Sequence, residues 1–306
     1  MGRMKPAPKL KTAMLDRLKR YRDLNRFGFA ATKIVFSLAG RLFPSLIALH
    51  SAKLFVRPRK NFNSTRKLPP PSKEFMHRGY DNLGVHARHW GENGPKILLL
   101  HGWESRTEDF SGFIAPLLEA GFQVVAIDAP AHGKSEGYEA DMVMYSKTIE
   151  EVLCFYGPFD GVIGHSFGGV CLSWALGENP SIQLRQVVLL ASPSGLLEVI
   201  EKAFDYFGFG NSVRKKLRNH LERRYKESLE HFAIERVAKR IRVPALIIHD
   251  KDDDIVKQES ALKLHSHWPN SSLQLTEGLG HFRLLRNRPL ILSIVDHLKK
   301  QAKAAA

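Results

Sequence analysis

Short runs that are apolar at nearly every position recur along the chain: Ile97 to Leu100, Val124 to Ile127, Gly161 to Ile163, Val187 to Leu190, Leu246 to Ile248 and Leu273 to Leu275. Runs this short with no polar face predict strands buried on both sides. Ahead of them, Glu74 to Tyr80 and Val85 to Trp90, joined by Asp81-Asn82-Leu83-Gly84, predict a hairpin. Stretches with helical spacing of apolar positions alternate with the runs. Strands alternating with helices predict an α/β class, a mostly parallel central sheet flanked by helices. No internal repeat is present.

Two stretches break this alternation. Leu196 to Arg240 reads as several helices and holds an aromatic cluster, Phe204-Asp205-Tyr206-Phe207-Gly208-Phe209, followed by the basic run Arg214-Lys215-Lys216-Leu217-Arg218. The other is the segment before Pro69-Pro70-Pro71, rich in Lys and Arg with only Asp16 and Asp23 as acids. The expected organisation is therefore a basic N-terminal extension over 1–70 and a main domain over 71–306 with a helical insertion at about 196–240.

Charge sharpens the picture of the extension. The chain has 306 residues, a net charge of +15 and a pI near 9.8, and much of that excess lies before residue 70. Phe29 to Val56 reads as an amphipathic helix, with Lys33, Ser37, Arg41 and Ser45 spaced four apart as a polar stripe. Lys33, Arg41, Pro44 and Lys53 interrupt the ~20 apolar residues that a bilayer span needs, and the pattern does not resemble a secretory signal. A basic amphipathic helix suits peripheral contact with an anionic membrane through residues 1–60, or packing onto the core or in a homodimer. Nucleic acid is not an expected partner, because no reader motif accompanies the charge. Cys154 and Cys171 both fall in apolar helical stretches, where a buried reduced thiol is expected. Without a secretion signal, the expectation is a cytoplasmic protein, peripheral at most to the inner face of the membrane.

The candidate chemistry begins at Gly164-His165-Ser166-Phe167-Gly168-Gly169, which follows an apolar run and opens a helical one. That context makes Ser166 a candidate nucleophile on a sharp strand-to-helix turn, with glycines where strand and helix crowd together. The run ending at Leu100 leads into His101-Gly102-Trp103, and the Trp103 N–H is a candidate oxyanion donor beside that of Phe167. The run Val243 to His249 enters Asp250-Lys251-Asp252-Asp253-Asp254, one of whose carboxylates is a candidate triad acid. Ser272 to Leu275 leads to Gly278-Leu279-Gly280-His281, which presents a candidate base. A serine hydroxyl needs an imidazole to take its proton, and the imidazole needs a carboxylate to fix its tautomer. His265 and His267 in a helix, and His297 near the end of the last helix, read as surface residues. His132 reads as a loop-holding residue.

Four motifs together resemble the α/β-hydrolase superfamily from about Pro71 onward: Leu99-Leu100-His101-Gly102-Trp103, Asp128-Ala129-Pro130-Ala131-His132-Gly133-Lys134-Ser135, the Gly164 to Gly169 turn, and Gly280-His281. They look most like bacterial cofactor-independent serine hydrolases. The resemblance implies an α/β-hydrolase fold and a Ser-His-Asp triad of Ser166, His281 and Asp253, with Asp252 the runner-up for the acid. It implies that the 196–240 insertion caps the site, and that His101, His165, Phe204 and Phe207 line it. The implied reaction is hydrolysis of a small-molecule ester or thioester, with carbon–carbon bond hydrolysis open to the same triad. A serine at 166, not an aspartate, argues against the dehalogenase and epoxide hydrolase branches. No cofactor or metal is expected. A fold alone does not establish activity, so a catalytically idle binding or membrane-surface protein is the alternative.

Overall fold

The apolar runs pair edge to edge into one eight-stranded sheet. A computed structural model describes residues 38–59 and 66–304. In chain order the strands are β1 (Lys73–Arg78), β2 (Gly84–Trp90), β3 (Lys96–Leu100), β4 (Gln123–Ile127), β5 (Gly161–His165), β6 (Gln186–Leu190), β7 (Ala245–Asp250) and β8 (Ser271–Thr276). The helices are α1 (Pro44–Phe55), α2 (Ser111–Glu119), α3 (Met142–Tyr156), α4 (Phe167–Glu178), α5 (Leu196–Phe207), α6 (Asn211–Tyr225), α7 (Ile234–Val237), α8 (Gln258–His267), α9 (Gly280–Arg283) and α10 (Arg288–Ala304). Each expected run lies within a strand. β1 stops at Arg78, short of the expected Tyr80, because Tyr80–Asn82 coils into a 3-10 turn in which Asp81 and Asn82 take left-handed φ values of 57° and 55°. Asp and Asn are the non-glycine residues that best tolerate that region.

Across the sheet the order is β1-β2-β4-β3-β5-β6-β7-β8. β1 and β2 run antiparallel to each other and β2 to β4, and every other neighbouring pair is parallel. Alternate strand residues, among them Ile97, Leu99, Val124, Ile163 and Val188, form one core with Phe113 and Ile114 of α2 and Ile291 and Ile294 of α10. Intervening residues such as Leu98, Leu100 and Val162 point the other way by the two-residue period of a strand. On that side α3 and α4 pack together, and Ser146 Oγ donates to the Cys171 carbonyl at 2.9 Å. A parallel sheet aligns its carboxyl ends. The residues that follow β3, β4, β5, β7 and β8 therefore gather along one rim, the usual place for ligands in open α/β sheets.

The described chain divides into two compact units, one comprising residues up to Ala52 with Glu201–Leu221, the other Lys53–Ile200 with Glu222–Ala306. The sheet lies wholly in the second. The expected helix over Phe29–Val56 begins outside the described residues. Its described part is helical over 38–42 and again from Pro44, with a break at Phe43. The break falls where the helical state is disfavoured, at the residue before a proline. Of the two thiols, Cys171 is buried as expected and burial pushes its pKa well up. Cys154 is not: it sits on the outer face of α3 beside the exposed Phe155.

Candidate active site

β5 delivers the chain into Ser166 at φ 50°, ψ −117°, outside the helical region, and α4 starts at the next residue. A non-glycine residue held there stores strain of ~1–3 kcal/mol, which the surrounding packing must impose. Crowding does so. A Cβ at Gly168 would come within 2.5 Å of the Leu100 carbonyl oxygen and 2.6 Å of that of His101, and one at Gly164 within 2.8 Å of the Gly169 Cα. Helix and strand thus pass at backbone distance, leaving Ser166 at the apex of the turn.

The turn after β3 abuts this apex. A Cβ added at Gly102 would lie 3.1 Å from Ser166 Cβ and 3.2 Å from His165 Nδ1. The next residue, Trp103, sets its ring edge-on to Phe167, with centroids 5.3 Å apart at 89°, and to His132 at 5.1 Å. The backbones of Trp103 and Phe167 therefore flank the serine, and Phe167 is the first residue of α4, where helix amides lack intrahelical partners.

This turn is fixed from beneath. The Asp128 carboxylate, buried just past β4, accepts the Thr107 N–H at 2.9 Å, its hydroxyl at 2.8 Å and the Lys134 N–H at 3.0 Å, with His86 Nδ1 at 3.2 Å. Burial alone would raise its pKa, but these hydrogen bonds, led by that of His86, hold it far below the usual carboxylate range. His101 has both ring nitrogens engaged: Nδ1 donates to the Gly102 carbonyl at 2.8 Å and Nε2 accepts the Ala129 N–H at 2.8 Å. It ties two loops together. His132 donates Nδ1–H to the Pro130 carbonyl at 2.8 Å, the loop-holding place read from sequence. The residue after Trp103, Glu104, has φ 51°, and its carboxylate is gripped by the Arg59 guanidinium at 2.7 Å and the Arg59 N–H at 3.0 Å.

The four acids at and just after the end of β7 have separate partners. Asp253, fully buried, accepts His281 Nδ1–H on Oδ2 at 2.7 Å and the Ile255 and Val256 N–H groups on Oδ1, both at 2.8 Å. Burial works to raise its pKa, but the His281 hydrogen bond and charge keep it below the ordinary value. Asp252 accepts the Gly278 N–H at 2.8 Å, and exposed Asp254 lies 3.5 Å from the Lys257 ammonium. Asp250, also fully buried, accepts the N–H groups of Leu279 (3.0 Å), Gly280 (2.8 Å) and Asp252 (3.0 Å) and the Thr276 hydroxyl (2.7 Å). Burial pushes its pKa up and those four donors more than offset it. Asp250 thus staples the histidine loop to the end of β7.

His165 completes the link to the serine. Its Nε2 donates to the backbone carbonyl of His281 at 3.0 Å, its ring lies 4.9 Å from that of His281, and burial drops its pKa to about 3, so it stays neutral. A second buried imidazole, His249, donates Nε2–H to the Val256 carbonyl at 2.8 Å and sits 3.5 Å from the Asp253 carboxylate. Sequence reasoning passed over Asp250, His249 and the structural role of Asp128. The available signal was a carboxylate ending a strand ahead of a glycine-rich loop that needs acceptors for its amides.

Phe204 and Phe207 belong to the other compact unit. There Phe204 is buried near Phe209, and Phe207 stacks on Phe209 with centroids 5.6 Å apart at 22°. His265 is exposed on α8, as expected, and His267 is half-buried there. Among the described residues, no three His, Cys, Asp or Glu side chains gather as a metal would require.

Residues 97–234, from β3 into α7, match the alpha/beta hydrolase family. The chain has the α/β-hydrolase fold. A human serine hydrolase-like protein is 33% identical over 120 residues, covering 37% of this chain and 58% of its own length. A bifunctional esterase/perhydrolase of Acinetobacter calcoaceticus is 29% identical over 147 residues, 46% of this chain and 52% of its own. The chain thus spans little more than half the length of those relatives. An esterase from Exiguobacterium antarcticum has the same fold, with a TM-score of 0.60 at 19% identity over 74% of this chain and 100% of that one.

Proposed function

We propose that the protein is a serine hydrolase that cleaves an ester or thioester through an acyl-enzyme. The observation that carries this reading is the buried Asp253–His281 hydrogen bond of 2.7 Å, with the His281 carbonyl held by His165, the residue next to Ser166. With Nδ1–H committed to Asp253, the base form of the His281 ring presents its lone pair on Nε2. That atom takes the Ser166 proton as Oγ attacks the acyl carbon, and Asp253 steadies the imidazolium. The amides of Trp103 and Phe167 receive the oxyanion, each such donor being worth ~3 kcal/mol in the transition state. The imidazolium then protonates the leaving group, and water activated by the same His281 releases the acid. Half-exposed Ile255 and Phe282, the latter 4.9 Å ring to ring from His281, give the acid–base pair an apolar lip that favours an apolar acyl group.

The test uses the full chain with a fluorophosphonate probe and p-nitrophenyl esters of increasing acyl length. Labelling at Ser166, mapped by mass spectrometry, together with turnover is expected. A folded protein that neither labels nor turns over ester overturns the reading in favour of an idle binding protein.

The Asp250 staple yields a separate expectation. Asp250→Ala leaves the amides of Leu279 and Gly280 without their acceptor at ~1–3 kcal/mol each, and loosens the loop that aims His281. A displacement of about 1 Å costs about 100-fold in kcat. The expected result is that loss with KM little changed, partly recovered in Asp250→Asn, which retains one acceptor oxygen. An unchanged kcat would show that the loop holds its place without the staple.

A further inference from the structure

In the compact unit that contains α1 as far as Ala52, the helical amphipathicity is inverted. Small residues face inward: Gly40, Ala48 and Ser51 are buried, and a Cβ at Gly40 would reach 2.9 Å from Val213 Cγ2 of α6. Leucines face outward. Leu38, Leu42, Leu46 and Leu49 recur every three or four residues, so they form one stripe, with Phe43 beside it. These five side chains are between 42% and 74% exposed. A contiguous apolar stripe in water marks a surface that something covers.

Charge says what covers it. In sequence, residues 1–52 and 201–221 together hold 16 Lys and Arg against 4 Asp and Glu, a balance of +12 out of the chain's +15. Lys215 and Lys216 of α6 are exposed. We infer that this unit binds the surface of an anionic lipid bilayer, with the leucine stripe at the acyl-chain boundary and the basic side chains among the headgroups. Nucleic acid would satisfy the charge and leave the leucines in water. A second copy would cover the leucines and bring two strongly cationic units together, which repulsion opposes. The helix lies on the bilayer: no described helix is long and apolar enough to cross a membrane. This inference stands independently of the catalytic reading.

The experiment is co-sedimentation of the full chain with phosphatidylcholine vesicles and with vesicles doped with phosphatidylglycerol, at low and high salt. Leu42→Ser/Leu46→Ser and Lys215→Gln/Lys216→Gln are compared, with circular dichroism melts confirming that both remain folded. Wild type is expected to sediment only with the anionic vesicles and to be released by salt. The leucine variant is expected to bind about tenfold more weakly, and the lysine variant to lose part of its affinity. The inference is overturned if folded wild type stays in the supernatant, or if the leucine variant sediments like wild type. It is also overturned if light scattering shows a dimer that the leucine variant dissolves, or if a DNA duplex displaces the vesicles while binding both forms equally.

Discussion

Ser166→Ala is expected to abolish fluorophosphonate labelling and to lower kcat for p-nitrophenyl esters by about 10^6, leaving only the residual rate that an oxyanion site and binding supply. The turn is held at φ 50° by backbone contacts on Gly164 and Gly168 that the substitution does not touch. Alanine therefore keeps the geometry and deletes only Oγ, and thermal melts should coincide with wild type. Labelling that persists in Ser166→Ala, mapped to another residue, would move the nucleophile elsewhere.

Asp253→Asn is expected to cost about 10^4 in kcat. Its Oδ1 partners, the amides of Ile255 and Val256, will hold the asparagine oxygen in place and so turn its NH2 toward His281. An imidazole facing an NH2 must present a lone pair on Nδ1 and carry its proton on Nε2, the wrong tautomer for accepting a proton from serine. Asp252→Asn disturbs only the Gly278 amide, and its turnover should stay within about tenfold of wild type. The paired kcat measurements name the acid. Equal losses in both variants would mean that the loop, not one carboxylate, matters.

Apolar runs revealed the inner strands of the sheet, because buried strands leave a dense local signature in the sequence; the edge strands β1 and β8 were also found, but β8, expected to be buried on both sides, is not, and the two are exposed or half-buried at all but one position. The Ser166 turn was equally legible, since its glycines and its place between strand and helix are local properties. Sorting the acids from Asp250 to Asp254 was not legible from local sequence. Four carboxylates in five positions look alike until their partners arrive from Gly278 to His281, on the far side of α8 and β8. The same limit explains Asp250 and His249, whose roles depend wholly on what packs over them. In the helical stretch from residue 38 the period was legible, but which face packs inward was not: the burial of Gly40 against Val213 of α6, and that of Ala48 and Ser51, depends on partners that spacing does not reveal.

The sheet order has a kinetic consequence. β3 lies between β4 and β5, so the turn carrying Trp103 meets Ser166 only after the chain from Gln123 has folded back on one side and that from Gly161 on the other. Asp253 and His281 join only when β7 has docked on β6 and β8 on β7. Pairings this distant in sequence form late, because loop closure must precede any contact that rewards it. On the proposed reading a partly folded chain would have no working serine, and the rate at which labelling returns on refolding is expected to track completion of the sheet.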